Sequence, residues 1–482
     1  MAKNFLNSNS LLPFLSSASI AFSREYERMA KAGFSSKKEE TAYANVDECL
    51  REGIQKVHED ASLYSGYLSF AKGALRKART EEGAVLGYMA YECALSFKDK
   101  TIVTGKDWAE GFRRGVEAIK AFYDSPIIQD DEKIVDLILQ EKPTNVEEVA
   151  AFFRRMNVPN KDGQVLRTFL ACQAEGFLSP EPKAVHSVEE FSPYQLGKSG
   201  YRLSFSLQIL NKKIETDPFD YEEYVAILEA ASEELECERR GMRIIVNLST
   251  FDPSIILSVS QKYGEFIAFQ MDNVYLYERD SHPRICLNKK DKEKSKAAVV
   301  EASSQPMVEL FLKLGASVAI DCSSCPQITI GDYLDAFDRS SAQDIIFLPN
   351  SKTSYLLGKI ASKLAKEKNV IVLPSSSVQE CYFALSNALF EEENIDDLLA
   401  SLLSGIESIS SLYAERGELL EVLKGYEGID EAEFCFILSG EKADKDEIEA
   451  VKEALEEDYP FLEIGEIECG QKSPVYLLGV SK

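Results

Sequence analysis

The sequence has few histidines, only three among its 482 residues. His58, His186 and His282 do not lie at the spacing of metal ligands, so we expect no zinc site. The ten cysteines are scattered, with one close pair at Cys322 and Cys325. The evenly spaced cysteines of small secreted proteins are absent, which favours a reducing cytoplasm as the location.

Long apolar runs are lacking as well. No segment approaches the roughly 20 apolar residues that a membrane helix needs, so we expect no membrane span. The mildly apolar residues 1–22 contain Pro13 and several serines and run directly into charged residues. This pattern favours a helix over a signal peptide.

Basic residues are in deficit, because 80 acidic residues outnumber 54 basic ones and give a net charge of −26. A surface of this charge repels nucleic acid at long range, so we expect no nucleic-acid partner. ATP is also a polyanion, and any nucleotide site would need strong local compensation. The apolar content of 45% is ample for packed cores.

The pattern of apolar residues divides the chain into three expected domains. Residues 1–180 have apolar residues at helical spacing almost throughout. After a proline-containing linker, residues 194–288 alternate strands with a helix, as in the half-buried strand Tyr201–Leu207, and indicate a small α+β domain. In residues 300–482, short strands alternate with helices, which is typical of an α/β domain with a mainly parallel sheet.

Five segments resemble the fatty acid kinase ATP-binding subunit family, and they occur in the family's order over nearly the whole chain. Asn247–Pro253, for example, is similar to the family's HVHTNDP stretch, and Ile345–Lys352 to its ILPNNK strand and loop. The five segments are Gly73–Gly83, Asn247–Pro253, Leu314–Ile320, Ile345–Lys352 and Gly470–Gln471.

The resemblance implies a multidomain fold. The first domain would be an all-α helical barrel of the dihydroxyacetone-kinase type that binds Mg-ATP at one end, and a small α+β domain and a DegV-like α/β domain would follow. The family transfers a phosphoryl group from ATP to a fatty acid that a separate protein carries. The resemblance therefore also implies a fatty-acid-binding protein partner and a homodimer.

The first loop that in this family binds magnesium is largely replaced. Opposite the family motif DGDTGTN stand Glu39–Asn45, in which only Asn45 is identical. Glu39 replaces one aspartate with another carboxylate, and Thr41 replaces the second with an uncharged side chain. Since Mg²⁺ prefers carboxylates and phosphate oxygens in a strict octahedron, one displaced glutamate is a poor site.

The second loop has lost glycines at Lys77 and Thr80, and Glu81 and Glu82 stand where the family has Asn-Ser. Glycines allow backbone N–H groups to approach phosphate closely. A carboxylate about 4 Å from a phosphate charge costs on the order of 4 kcal/mol at an effective dielectric near 20. In a third motif, one glycine of three remains. The candidate nucleotide-binding residues are therefore vestigial: Glu39, Thr41, Asn45, Lys77, Arg79, Gly83 and Gly163.

The expected α/β domain has polar residues after its strands, where ligands bind in open α/β sheets. These candidate ligand-binding residues are Ser323, Ser324, Asn350, Lys352 and Ser375. Cys322 and Cys325 flank the first two, and the sequence favours ordinary loop thiols over a redox pair, because a thiol pKa lowered by a helix cannot be read from the sequence.

The middle domain has no ligands for a metal. By the resemblance, Asn247, Ser249 and Arg202 stand where the family has two histidines and a cysteine. We therefore assign no metal site and no catalytic residue.

Three functions remain open at this point. The chain is a catalytically impaired relative that acts in binding or regulation, or a working kinase with a rebuilt site. In the second case Glu39 would hold the metal, Lys77 or Arg79 would bind phosphate, Mg-ATP would be the cofactor, and the substrate would be a protein-bound fatty acid or a dihydroxyacetone-like molecule. The third function is an interaction scaffold with a lipid or protein site on the last domain.

Overall fold

A computed structural model describes most of the chain. The described residues are 5–58, 61–123, 139–155, 163–178, 201–214, 219–232, 234–250, 252–273, 283–288, 295–325, 327–388, 390 and 394–482. The chain divides into one compact unit of Met1–Ala184 with Pro283–Lys482 and a second, middle unit of Val185–His282. The expected linker at 180–193 lies outside the described residues. The division into three domains stays a prediction.

The first unit begins with a helical part, in agreement with the sequence pattern. Its elements are β1 (Phe5–Leu6), α1 (Ser8–Ala32), α2 (Lys37–Gln55), α3 (Leu63–Lys77), α4 (Glu81–Leu95), β2 (Val103–Thr104), α5 (Gly105–Tyr123), α6 (Val146–Arg155) and α7 (Gly163–Leu178). The apolar segment that contains Pro13 lies in α1, as expected. Asn7, Ser36, Ser62 and Thr80 begin the first four helices, because each side chain accepts a backbone N–H of the first turn.

The middle unit contains a four-stranded antiparallel sheet in the order β4-β5-β3-β6, with helices that pack on its apolar face. Its elements are β3 (Tyr201–Ile209), α8 (Asn211–Ile214), α9 (Tyr221–Ala230), β4 (Glu234–Arg240), β5 (Arg243–Thr250), α10 (Pro253–Tyr263) and β6 (Gly264–Asn273). Strand β3 contains the segment Tyr201–Leu207, whose alternation predicted a strand.

The first unit continues with an α/β part, which starts with a five-stranded sheet in the order β11-β10-β8-β9-β7. Its elements are β7 (Arg284–Leu287), β8 (Lys296–Ala302), α11 (Gln305–Lys313), β9 (Val318–Asp321), α12 (Ile330–Arg339), β10 (Asp344–Leu348), α13 (Lys352–Leu364), β11 (Asn369–Val372) and α14 (Val378–Asn387). Strands β8 to β11 run parallel, and β7 pairs antiparallel with β9.

A second sheet of the α/β part has the order β12-β15-β13-β14. Its region contains α15 (Ile395–Glu407), β12 (Ile409–Ala414), α16 (Leu419–Lys424), β13 (Phe434–Ser439), α17 (Lys445–Asp458), β14 (Glu463–Glu468) and β15 (Tyr476–Ser481). Among the described residues, no helix is long and apolar enough to cross a membrane.

One apolar cluster connects the helical part with the first sheet. Phe70 and Leu86 of the helical part belong to the same cluster as Tyr333 on α12, Phe347 on β10 and Leu357 on α13. The opposite face of that sheet packs on α11, α14 and α15 in a separate cluster. The helical part and the α/β part therefore share a core.

Candidate functional site

Asn45 connects α2 to the loop Ala78–Thr80 between α3 and α4. Its side-chain oxygen accepts hydrogen bonds from the backbone N–H groups of Arg79 (3.0 Å) and Thr80 (3.1 Å) and from the hydroxyl of Thr80 (3.1 Å). Its amide nitrogen donates to the carbonyl of Lys77 (2.9 Å). Two backbone N–H groups of the loop that the resemblance places near phosphate are thus bonded to a buried side chain instead.

Gly83 packs directly on this amide in the first turn of α4. A Cβ atom at Gly83 would lie 2.5 Å from the Asn45 side-chain oxygen. The Gly83 N–H donates to the hydroxyl of Thr80 (3.1 Å), which caps the helix. The threonine that replaces a glycine of the family motif therefore binds both Asn45 and the start of α4.

Glu39 and Thr41 lie in the first turns of α2 and bond there. The buried Glu39 carboxylate accepts from the backbone N–H (2.9 Å) and the hydroxyl (2.5 Å) of Ser35. The Thr41 hydroxyl donates to the Lys37 carbonyl (2.9 Å). Within the described ranges, no group of three or more His, Cys, Asp or Glu side chains is placed to hold a metal ion.

Tyr43 is buried at the position where the resemblance has a glycine. Its ring stacks on Phe22 with centroids 5.6 Å apart, and its hydroxyl lies 3.2 Å from that of Thr168. Burial raises the pKa of Tyr43. A bulky aromatic side chain therefore fills space that a glycine would leave free.

The basic candidates differ in their surroundings. Arg79 forms an ion pair with Glu48, and both side chains are largely shielded from solvent. Lys77 is half-buried and forms no ion pair with the residues that the structure describes. Gly163 is the first residue of α7, and the rest of its motif, 160–162, lies outside the described residues.

The α3–α4 region also contacts the α/β part, through three polar contacts that we call the joint. They are Arg76 Nη2 with Asp335 Oδ1 (2.8 Å), the Ala78 carbonyl with the Ile330 N–H (2.9 Å), and Glu81 Oε1 with the Thr353 hydroxyl (3.0 Å). Gly331 allows the close approach, because a Cβ there would lie 2.8 Å from the Arg76 carbonyl oxygen. The joint therefore involves α12 and α13.

The candidate ligand residues of the α/β part lie after parallel strands, as the sequence predicts. Ser323 and Ser324 follow β9 and are exposed. Asn350 and Lys352 follow β10; Asn350 is half-buried and Lys352 is exposed. Ser375 follows β11, is buried, and donates to the Pro349 carbonyl (2.7 Å). The Ser375 hydroxyl thus connects two loops of the protein.

The structure identifies one residue of this edge that the sequence analysis missed. Glu301, near the end of β8, is 3% exposed and accepts hydrogen bonds from the hydroxyls of Tyr333 (2.8 Å) and Ser354 (2.9 Å). Burial raises the pKa of Glu301 to about 7. A single acidic residue inside the apolar run of β8 is a signal that could have identified it.

The remaining candidates are three positions of the middle unit and the cysteines Cys322 and Cys325. Arg202 pairs with Ser249 across β3 and β5, and Ser204 donates to Asn247 (3.1 Å), so the positions that resemble a metal site do lie together. Cys322 and Cys325 are free thiols, and burial raises the pKa of both. Raised pKa values disfavour the thiolates that redox chemistry uses.

Comparison with known proteins relates both units to one group of sequences. Residues 297–428 match the C-terminal family of FakA-like fatty acid kinase subunits. An uncharacterized protein of Staphylococcus epidermidis is 22% identical over 90% of this chain and 91% of its own length. Protein YloV of Bacillus subtilis is 23% identical over 89% of this chain and 90% of its own length.

Proposed function

We propose that the chain is a member of the family of FakA-like fatty acid kinase subunits and that it no longer binds Mg-ATP. In this proposal it works in binding or regulation together with a fatty-acid-binding protein. The partner, the DegV-like character of the α/β part and a homodimer follow from the resemblance to the family.

The observation that carries the proposal is the hydrogen bonding of Asn45. Phosphate loops bind their ligand through backbone N–H groups that point outward at a helix N-terminus. Here the N–H groups of Arg79 and Thr80 point at the buried Asn45 oxygen, and that of Gly83 at the Thr80 hydroxyl. A phosphate would have to break these bonds before it could bind.

Charge supports the same proposal. Glu81 and Glu82 are only partly shielded at the start of α4, next to the loop. Each carboxylate within about 4 Å of a phosphate costs on the order of 4 kcal/mol at an effective dielectric near 20. The guanidinium of Arg79, which could offset this repulsion, is paired with Glu48.

Isothermal titration calorimetry of the full chain with ATP and Mg²⁺ tests the proposal. We expect no saturable binding. A dissociation constant in the micromolar range, which corresponds to a binding free energy of about −8 kcal/mol, would overturn the proposal. The fluorescence of Trp108, the single tryptophan and a buried one, verifies that each sample is folded.

A second measurement separates the proposal from a working kinase with a rebuilt site. Acyl-phosphate formation is measured with a fatty-acid-binding protein that has been shown to bind the chain. If turnover occurs, Lys77→Ala or Arg79→Ala should abolish it in the rebuilt site, whereas Arg154→Ala should not. Arg154 is a matched control because it forms an exposed ion pair with Glu175 in the same helical part.

A further inference from the structure

Glu301 lies at the point where the strand order of the parallel sheet reverses. The chain passes from β8 to β9 on one side and then returns past β8 to β10 on the other, so β8 lies between them. In such sheets the carboxyl ends of these central strands are the place where functional groups gather. Glu301 is the next-to-last residue of β8 and is turned toward α12 and α13, where it bonds to Tyr333 and Ser354.

The same two helices carry the joint to the helical part. On α12, Tyr333 lies between Ile330 and Asp335, which bond to Ala78 and Arg76. On α13, Ser354 directly follows Thr353, which bonds to Glu81. One buried carboxyl group is therefore bonded to the two helices that contact Arg76, Ala78 and Glu81 in the α3–α4 region.

We propose that Glu301 is a proton-controlled element that sets how firmly α12 and α13 hold the α3–α4 loop. The proposal goes beyond the proposed function, and it does not depend on whether ATP binds. Its elements are a buried acid, two helices that share it, and the contacts of the joint on the same two helices.

The two protonation states of Glu301 require different hydrogen bonds. The ionised carboxylate accepts from both hydroxyls, but it is a buried charge with no ion pair to any lysine or arginine that the structure describes. The protonated group must donate one hydrogen bond. The Ser354 hydroxyl can then accept from Glu301 and turn to the Asn350 side-chain oxygen, which is 3.5 Å away.

The titratable groups that face Glu301 are Tyr333 on α12, Cys322 after β9 and Cys381 on α14. Burial raises the pKa of each of these three groups, so each stays neutral near pH 7. Glu301 is thus the member of this cluster whose charge changes near neutrality, with a pKa raised by burial to about 7.

The direction of the effect follows from linkage. Because the folded protein holds the Glu301 proton more tightly than the unfolded chain does, the stabilisation is fully present below the ordinary glutamate pKa of about 4.3. It decreases as the pH rises through the folded pKa of about 7. The joint should therefore be firmer in mildly acidic solution and looser in alkaline solution.

Hydrogen exchange of the Ile330 amide in the full chain tests this, because that amide donates to Ala78 across the joint (2.9 Å). After correction for intrinsic exchange rates, we expect its protection factor to fall by roughly tenfold between about pH 6 and about pH 8. Glu301→Gln should remove this dependence. Glu309→Gln, an exposed carboxylate on α11, should keep it.

Tyr333→Phe keeps the test decisive if Glu301→Gln does not fold. The Tyr333 hydrogen bond lowers the pKa of Glu301 against the effect of burial, so its loss should move the midpoint to higher pH. The proposal is overturned by a wild-type protection factor that does not change with pH, by an unchanged pH dependence in Glu301→Gln, or by a midpoint that moves down in Tyr333→Phe.

Discussion

Asn45 and Thr80 together explain how the α3–α4 loop holds its shape. Thr80 donates its hydroxyl to the Asn45 oxygen and accepts the N–H of Gly83, so it serves as a bridge and as a helix cap. A glycine at position 80 would provide neither bond. The substitution thus stabilises the loop and also occupies the groups that a phosphate would bind.

Gly83 is the residue whose change should test this packing. In Gly83→Ala the new methyl group would lie 2.5 Å from the Asn45 oxygen, so the amide or α4 must shift. We expect the free energy of unfolding to fall by about 1–3 kcal/mol, as for other overpacked interior positions. Urea unfolding followed by Trp108 fluorescence measures the change.

Gly465→Ala is the matched control, since a Cβ at Gly465 in β14 would meet no atom within 4 Å. Its unfolding free energy should stay within about 0.5 kcal/mol of the wild type. If Gly83→Ala is equally neutral, the Asn45 amide has room to move and the loop is less fixed than its hydrogen bonds indicate.

For individual residues, the sequence indicated more about which ones lie near each other than about the hydrogen bonds that they form. The resemblance assigns Asn45 to a first loop and Lys77 and Arg79 to a second, and in the structure Asn45 lies in α2 and bonds to the backbone of Lys77 and Arg79. That Asn45 would bond to the loop itself depends on side-chain geometry, which residue type alone does not specify. Glu301 was missed because its one signal, a single acidic residue in the apolar run of β8, is neither a motif nor a cluster.

At the scale of elements, the regular alternation of the α/β part was predictable and the exceptions were not. The alternation of short strands with helices that the sequence predicts in residues 300–482 recurs at the end of the chain in β13, α17 and β15. Strand β4 was not predicted, because the polar residues in Glu234–Arg240 resemble a solvated surface segment. Its pairing with β5, a long-range contact, makes it a strand.

Sequence patterns could not predict the joint between the helical part and helices α12 and α13 either. Its partners are hundreds of residues apart, and Arg76 with Asp335 is an exposed pair worth only about 0.2–1 kcal/mol. The close approach at Gly331 is stronger evidence that α12 packs on α3, because a side chain there would contact the backbone of α3.

Gly331→Ala should therefore loosen the α3–α4 loop. The added methyl group would lie 2.8 Å from the Arg76 carbonyl oxygen and would force α12 away from α3. We expect initial trypsin cleavage after Arg76, Lys77 or Arg79 to rise by roughly tenfold, as local opening becomes easier. Gly465→Ala should cleave like the wild type, and equal rates for both variants would show that the joint tolerates the methyl group.

For the whole molecule, the three domains stay a prediction, and the structure divides into two compact units. The helical character of the first part and the α/β character of the last are confirmed, and the barrel remains a prediction. Local periodicity identifies such segments, but it does not show that Phe70 and Leu86 share a core with Tyr333 and Phe347. Shared apolar burial should couple the unfolding of the two parts.

Cysteine labelling during urea unfolding tests this coupling without any substitution, because all the cysteines that the structure describes are free. Cys93 in the helical part and Cys381 in the α/β part are buried, and Cys237 belongs to the middle unit. We expect the thiols of Cys93 and Cys381 to become reactive with the same urea midpoint, as cooperative unfolding requires, and Cys237 to follow a midpoint of its own. If Cys93 remains protected where Cys381 reacts fully, the helical part is stable without the shared core, and three independent domains describe the chain better.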